Sequence, residues 1–199
     1  MEEAIFDNNA NKERFLSLMR SVERQGIENL LEYIETKTDF YTAPASTRFH
    51  NNCVGGLLAH SLNVYDNFKK QLALRKIEMP EESIIVAALL HDLCKCNYYV
   101  REERNRKVNG KWEQYTVWSQ TKNVSVLLPH SSRSIRIIRS YLPLKFIEEL
   151  CIFYHMGPFG GEDYEYRNLL QQTNARHPET LLFYVADLLS SYLDETIYD

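Results

Sequence analysis

The run Ile84-Ile85-Val86-Ala87-Ala88-Leu89-Leu90-His91-Asp92-Leu93-Cys94-Lys95 decides how the chain folds. Its opening residues, Ile84 to Leu90, are apolar on every side of a helix, which makes that helix a core element for other helices to surround. His91 and Asp92 follow at once, so a titratable pair is carried into or beside the interior. Aspartate is rarely buried without a partner, because an unpaired carboxylate taken out of water is strongly destabilised. A bound cation is one of the few ways to keep it ionised there.

Around this helix, glycine (7) and proline (6) are scarce among 199 residues. Apolar residues recur at helical spacing over most of the length, which predicts a mainly α-helical fold. Helices are expected near residues 11–22, 26–36, 56–75, 81–95, 131–141, 144–156, 164–173 and 178–194. One segment departs from the pattern. Tyr98 through Trp118 holds Asn109-Gly110 between β-prone stretches, a type I′ turn signal, so a small β-hairpin is expected near residues 98–119. The length suits a single domain over 1–199, with N-terminal helices (1–45) packed on a core of residues 46–195. A domain of this size buries roughly 70% of the surface its unfolded chain exposes.

With 44% hydrophobic and 25% charged residues the chain is neither mainly disordered, collagen-like nor a membrane protein. No apolar stretch approaches a membrane span, and the start Met1-Glu2-Glu3-Ala4-Ile5-Phe6-Asp7 lacks the basic and apolar regions of a signal peptide, so a cytoplasmic location is expected. A formal charge of -4 removes the simplest argument for a nucleic-acid coat protein. The hairpin is locally basic, with Arg101, Arg104, Arg106, Lys107 and Lys111 against Glu102 and Glu103. Such a face is usually only solvated; the functional alternative is a rim that attracts an anionic substrate. Cys53, Cys94, Cys96 and Cys151 have no Cys-x-x-Cys spacing and are expected as reduced thiols packed as small hydrophobes.

The histidines interrupt or terminate apolar helices. His60 shares a helical face with Leu57, Val64 and Phe68, and His155 ends the apolar stretch Phe146–Tyr154. Asp187 interrupts Leu181-Leu182-Phe183-Tyr184-Val185-Ala186 before Leu188-Leu189. His130 opens a helix after Pro129, where backbone N–H groups with Ser131, Ser132 and Arg133 suit an oxyanion. Taken singly, each of these is more simply a hydrogen-bonded core histidine or a capping carboxylate. Together they would need a separate partner each, and one shared metal centre explains the set. His177, at a helix entrance, is expected to face solvent.

In order along the chain, His60, His91-Asp92, His130, His155 and Asp187 resemble the H…HD…H…H…D pattern of the HD-domain superfamily of metal-dependent phosphohydrolases. The stretch from Thr42 to His60 is similar to a branch of small bacterial and phage HD hydrolases, and Gly55-Gly56-Leu57-Leu58-x-His60 to the HD domain of 3′–5′ exoribonucleases. The resemblance implies an HD-type helical bundle. It also implies that His60, His91, Asp92 and Asp187 hold one metal, with His130 and His155 completing a second site and Asp92 bridging. Cys94 stands where many members have glycine, next to Lys95.

Imidazole and carboxylate donors without thiolate suit one or two divalent ions such as Mn, Fe, Co, Ni or Zn, and do not suit calcium. The expected reaction is hydrolysis of a phosphoester in a small phosphorylated substrate, a nucleotide being favoured, by a metal-activated hydroxide. Asp92 and Lys95 are the candidate catalytic residues. On a helix continuing to residue 95, Lys95 would project along the face of His91 and Asp92 toward a phosphate. His50, Lys95, Ser131 and Arg133 are the candidate substrate-binding residues. The glycine-rich stretch Met156–Asp163 is either a flap over the pocket or ordinary helix termination. The alternatives carried alongside are a 3′–5′ nuclease on RNA or DNA ends, a di-iron oxygenase on the same ligands, and a non-catalytic nucleotide-binding regulator.

Overall fold

The computed structural model describes residues 7–121 and 128–195. Over these the chain forms α1 (Asn8–Arg20), α2 (Ile27–Lys37), α3 (Gly56–Arg75), α4 (Glu81–Leu90), α5 (His130–Arg139), α6 (Phe146–Tyr154), α7 (Tyr164–Arg176) and α8 (Pro178–Leu189). One antiparallel hairpin, β1 (Tyr99–Val108) and β2 (Lys111–Gln120), sits between α4 and α5. The mainly helical fold with one small sheet is therefore the one the apolar spacing predicts.

The apolar run from Ile84 takes the central place. Every residue of α4 from Ser83 to Leu90 is buried, and α1, α3 and α6 pack against this helix while α8 packs on α3 and α6. One apolar cluster runs from Phe15 and Met19 of α1 through Leu57, Leu89 and Ile152 to Phe183 of α8. No helix among the described residues is long and apolar enough to cross a membrane.

Helix α4 stops at Leu90, five residues before the expected end. His91 keeps helical angles, but Asp92 turns to φ -106°, ψ 19° and Leu93–Lys95 tighten into a 3-10 turn. A hydrogen bond from the Cys94 N–H to Ser134 Oγ (3.1 Å) ties this turn to α5. Lys95 consequently does not project along the α4 face; it folds back onto Asp92. At the other end of the chain, Asp7 caps α1 by accepting from the N–H groups of Asn9 and Ala10 at 3.0 and 3.1 Å, which starts that helix at residue 8 rather than 11. Helix α8 ends at Leu189 and a π-type turn, Ser190–Asp194, completes the stretch expected to be helical to 194.

Asn109 (φ 50°) and Gly110 (φ 83°) form the two-residue turn of the hairpin, both in the left-handed conformation a type I′ turn requires. Several of its cations are engaged on the ribbon itself. Arg101 and Arg106 lie over the rings of Trp118 and Tyr115 at 5.0 Å, and Arg104 donates to Glu102 and Ser119.

Gly55-Gly56 is explained by chain crossing. A Cβ on Gly56 would meet the Asn51 carbonyl oxygen at 1.9 Å, the same oxygen that accepts from the Ala45 N–H at 3.0 Å. The glycines after His155 are likewise set by packing. Tyr166 Oη donates to the Gly157 carbonyl (2.9 Å), and a Cβ on Gly160 or Gly161 would strike Tyr166. Gly157–Gly160 is a 3-10 turn that follows α6, the form that helix termination by glycine takes.

Truncating the centre of α4 by Leu89→Ala is expected to lower unfolding free energy by about 3 kcal/mol, the scale for a fully buried leucine, in chemical denaturation. Gly56→Ala, which overpacks against backbone, is expected to lose roughly 1–3 kcal/mol by the same measurement.

Candidate metal centre

Five elements converge behind the end of α4. Helix α3 supplies His60, the turn after α4 supplies His91 and Asp92, α5 opens with His130, His155 follows the last residue of α6, and α8 carries Asp187. His60, His91, Asp92 and His155 are between 0% and 3% exposed.

Asp92 stands between two halves of the cluster. Its Oδ2 lies 2.7 Å from Lys95 Nζ, 3.3 Å from His91 Nε2 and 3.7 Å from His60 Nε2. Its Oδ1 faces the other way, 3.8 Å from His130 Nε2 and 3.7 Å from His155 Nε2, and is a buried oxygen without a hydrogen-bond partner. On the first side His60 Nε2 approaches His91 Nε2 at 3.2 Å and Asp187 Oδ1 at 3.3 Å. On the second, His130 Nε2 and His155 Nε2 are 2.8 Å apart. His60, His91 and Asp187 form one group of convergent donor atoms, and His91, Asp92 and His155 another.

Local structure fixes which nitrogen faces inward. The last carbonyls of a helix have no helical partner. His91 Nδ1 donates to Ala88 O at 2.8 Å and His155 Nδ1 to Ile152 O at 2.6 Å, each three residues back at the end of its helix. With the proton held on Nδ1, each Nε2 presents a lone pair to the interior. His60 Nδ1 bonds instead to Glu195 Oε1 at 2.9 Å.

Electrostatics divides the rings. Burial pushes His155 down to about 3 and also lowers His130, so both are neutral donors at neutral pH. For His60 burial acts in the same direction, but the Glu195 and Asp187 carboxylates outweigh it and raise its pKa to about 10. Burial opposes the charge on Asp92, yet Lys95 and then His91 hold its carboxyl well below the usual range. Asp187 is also held low, against burial, by its contact with His60. Neutral imidazoles at His130 and His155, ionised carboxylates and an orphaned buried oxygen make a set of donors that could hold a metal ion. These buried groups are placed to hold such an ion.

The six residues read as ligands thus come together. His50 adjoins them, its ring 4.9 Å from that of His60 and its buried Nε2 without a hydrogen-bond partner, and burial pushes its pKa down to about 4. Lys95 is held by Asp92 and by the Ala45 carbonyl (2.8 Å). Ser131 is buried in the first turn of α5, while Arg133 stacks on the Tyr98 ring at 5.0 Å. His177 packs against Phe146, away from the cluster. Sequence reasoning missed Glu195, Asn63 and Asn67. The polar stripe His60-Asn63-Asn67 on a helix otherwise buried along that face was the available signal, because a buried amide requires a partner.

No family model matches the chain, and no solved structure matches it significantly. Among curated proteins, the dihydroneopterin 2′,3′-cyclic phosphate phosphodiesterase of Methanocaldococcus jannaschii is 29% identical over 90 residues, which cover 43% of this chain and 34% of that protein. The match therefore spans about a third of the relative's length.

Proposed function

We propose that the chain is a metal-dependent phosphohydrolase that cleaves a phosphoester of a small compound, and that His60, His91, Asp92 and Asp187 hold one ion while His130, His155 and Asp92 hold a second. The observation that carries this reading is the Asp92 carboxylate, with one oxygen turned to each histidine pair and Oδ1 lacking any other partner. Support comes from the ordered resemblance to the HD superfamily and from the similarity to a cyclic phosphate phosphodiesterase. The activity of that relative makes cyclic phosphodiesters the first compounds to test, with nucleotides next. An ion held by these residues would supply a bound water of pKa lowered to about 7 and would polarise a phosphoryl oxygen.

The chain's own residues do the rest. His130, its side chain 31% exposed, is the open side of an otherwise enclosed cluster, and substrate enters there. An open coordination position distinguishes a catalytic site from a closed structural one. Lys95, paired with Asp92, is a cation for a phosphoryl oxygen, and Arg133, Ser131 and His50 are the further residues that bind substrate in this reading. The His60 Nε2 proton, shared with Asp187, must leave before that nitrogen can ligate.

Purified protein loaded in turn with Mn, Co, Ni, Fe or Zn is expected to release phosphate or open a cyclic phosphate in a panel of 2′,3′-cyclic and 3′,5′-cyclic nucleotides, mononucleotides and short oligonucleotides. Asp92→Ala is expected to lose bound metal by elemental analysis and turnover by on the order of 10⁴-fold. Inactivity of a folded, metal-loaded protein across the panel, or full turnover by Asp92→Ala, overturns the reading. Binding to oligonucleotides that weakens steeply with salt would favour nuclease action instead.

The sign of the pH dependence follows from His60. Below its pKa of about 10 the proton is preferred on the ring and competes with the ion, so metal affinity is expected to fall as pH falls. Calorimetric titration in buffers of different ionisation heat is expected to register about one proton released per ion bound at this ring.

A further inference from the structure

The segment after α8 serves no step described above, yet it is bound tightly to α3. Asn67 Nδ2 donates to Ser190 Oγ at 2.9 Å and to Asp194 Oδ2 at 2.6 Å, and Asn63 Nδ2 donates to Glu195 Oε1 at 3.1 Å. His60, Asn63 and Asn67 are three and then four residues apart, on one face of α3. Together they form a ladder that docks the Ser190–Asp194 turn and brings Glu195 beneath His60. The Glu195 side chain is fully enclosed. Its Oε1 receives both His60 Nδ1 and Asn63, and its Oε2 is buried without a hydrogen-bond partner. Among the described residues no lysine or arginine pairs with it; its hydrogen bonds run to α3, and the His50 ring lies beside it.

We infer that Glu195 is a positioning residue for the metal centre, holding the His60 Nδ1 proton so that the Nε2 lone pair is aimed between His91, Asp92 and Asp187. This rests on the metal reading of the cluster given above. The physical reason is specific to His60. His91 and His155 have their tautomer set by a carbonyl of their own helix, but His60 lies within α3, where the backbone carbonyls are engaged in helical hydrogen bonds, so the acceptor for Nδ1 has to come from elsewhere. A carboxylate in that role also increases the basicity of the ligating nitrogen. Without it the ring is free to carry its proton on Nε2, the position the ion requires.

The test uses the full chain as wild type, Glu195→Ala and the isosteric Glu195→Gln, whose amide oxygen can still accept from Nδ1. Affinity for Zn, read by competition with a chromophoric chelator, is expected to weaken about 10- to 100-fold in Glu195→Ala and by less in Glu195→Gln. The ligand-field spectrum of the Co-loaded protein is expected to change in Glu195→Ala and to return toward wild type in Glu195→Gln. The His60 Nδ1–H resonance, sequestered against the carboxylate, is expected in wild type and lost in Glu195→Ala, with or without an ion. A folded Glu195→Ala protein that binds Zn within twofold of wild type overturns the inference and leaves the metal reading standing. A wild-type protein that binds no divalent ion overturns the metal reading itself, whatever the His60 resonance shows.

Discussion

A helix with no polar face must be enclosed, and whatever follows it in the chain is enclosed with it. That constraint places Asp92 in the interior, and the geometry of the site follows from the ways its charge is balanced. Glu148 is a useful contrast. It too is fully buried on an apolar helix, α6, but Arg24 grips it through two hydrogen bonds at 2.8 and 2.5 Å and the Lys145 N–H donates to it at 2.9 Å. Both of its oxygens are satisfied by ordinary neighbours. Asp92 is satisfied on one oxygen only, by Lys95, and its other oxygen meets nothing but imidazole nitrogens at more than hydrogen-bond distance. The same burial thus gives a structural ion pair in one place and, in the other, a cluster that could hold a metal ion.

The donors are built from the defects of helices. Each helix end leaves carbonyls without partners, and at α4 and α6 those carbonyls are taken by the ring of the histidine that follows. One contact therefore caps a helix, fixes a tautomer and aims a lone pair. His130 uses the opposite end of a helix, being the first residue of α5, which leaves its side chain the most exposed of the group. Positions at helix ends are held by the packing of whole helices, so the cage is as rigid as the core that surrounds it.

Much of this was legible from the amino acids because the signals were local. The apolar run before His91 announces a core helix, Asn109-Gly110 announces the turn, and histidines that interrupt apolar stretches announce a shared site. What escaped was long-range or geometric. The end of α4 at Leu90 depends on Ser134, 40 residues later, drawing the Cys94 N–H away from the helix, so the sideways course of Lys95 had no local sign. The demand for glycine at 56 comes from the Asn51 carbonyl crossing it, and that at 160 and 161 from Tyr166. Glu195 lies 135 residues from the ring it touches, so although the stripe His60-Asn63-Asn67 signals a buried partner, nothing local says which residue supplies it.

That separation has a kinetic meaning. The contacts that close the cage join α3 to the last described residues of the chain, across 123 to 135 positions, and such contacts form only after a large loss of loop freedom. The helices that precede α8 can pack around α4 with His60, His91 and Asp92 in place and still lack Asp187. Any ligand that binds only the assembled cluster would draw the population toward that assembled state by mass action.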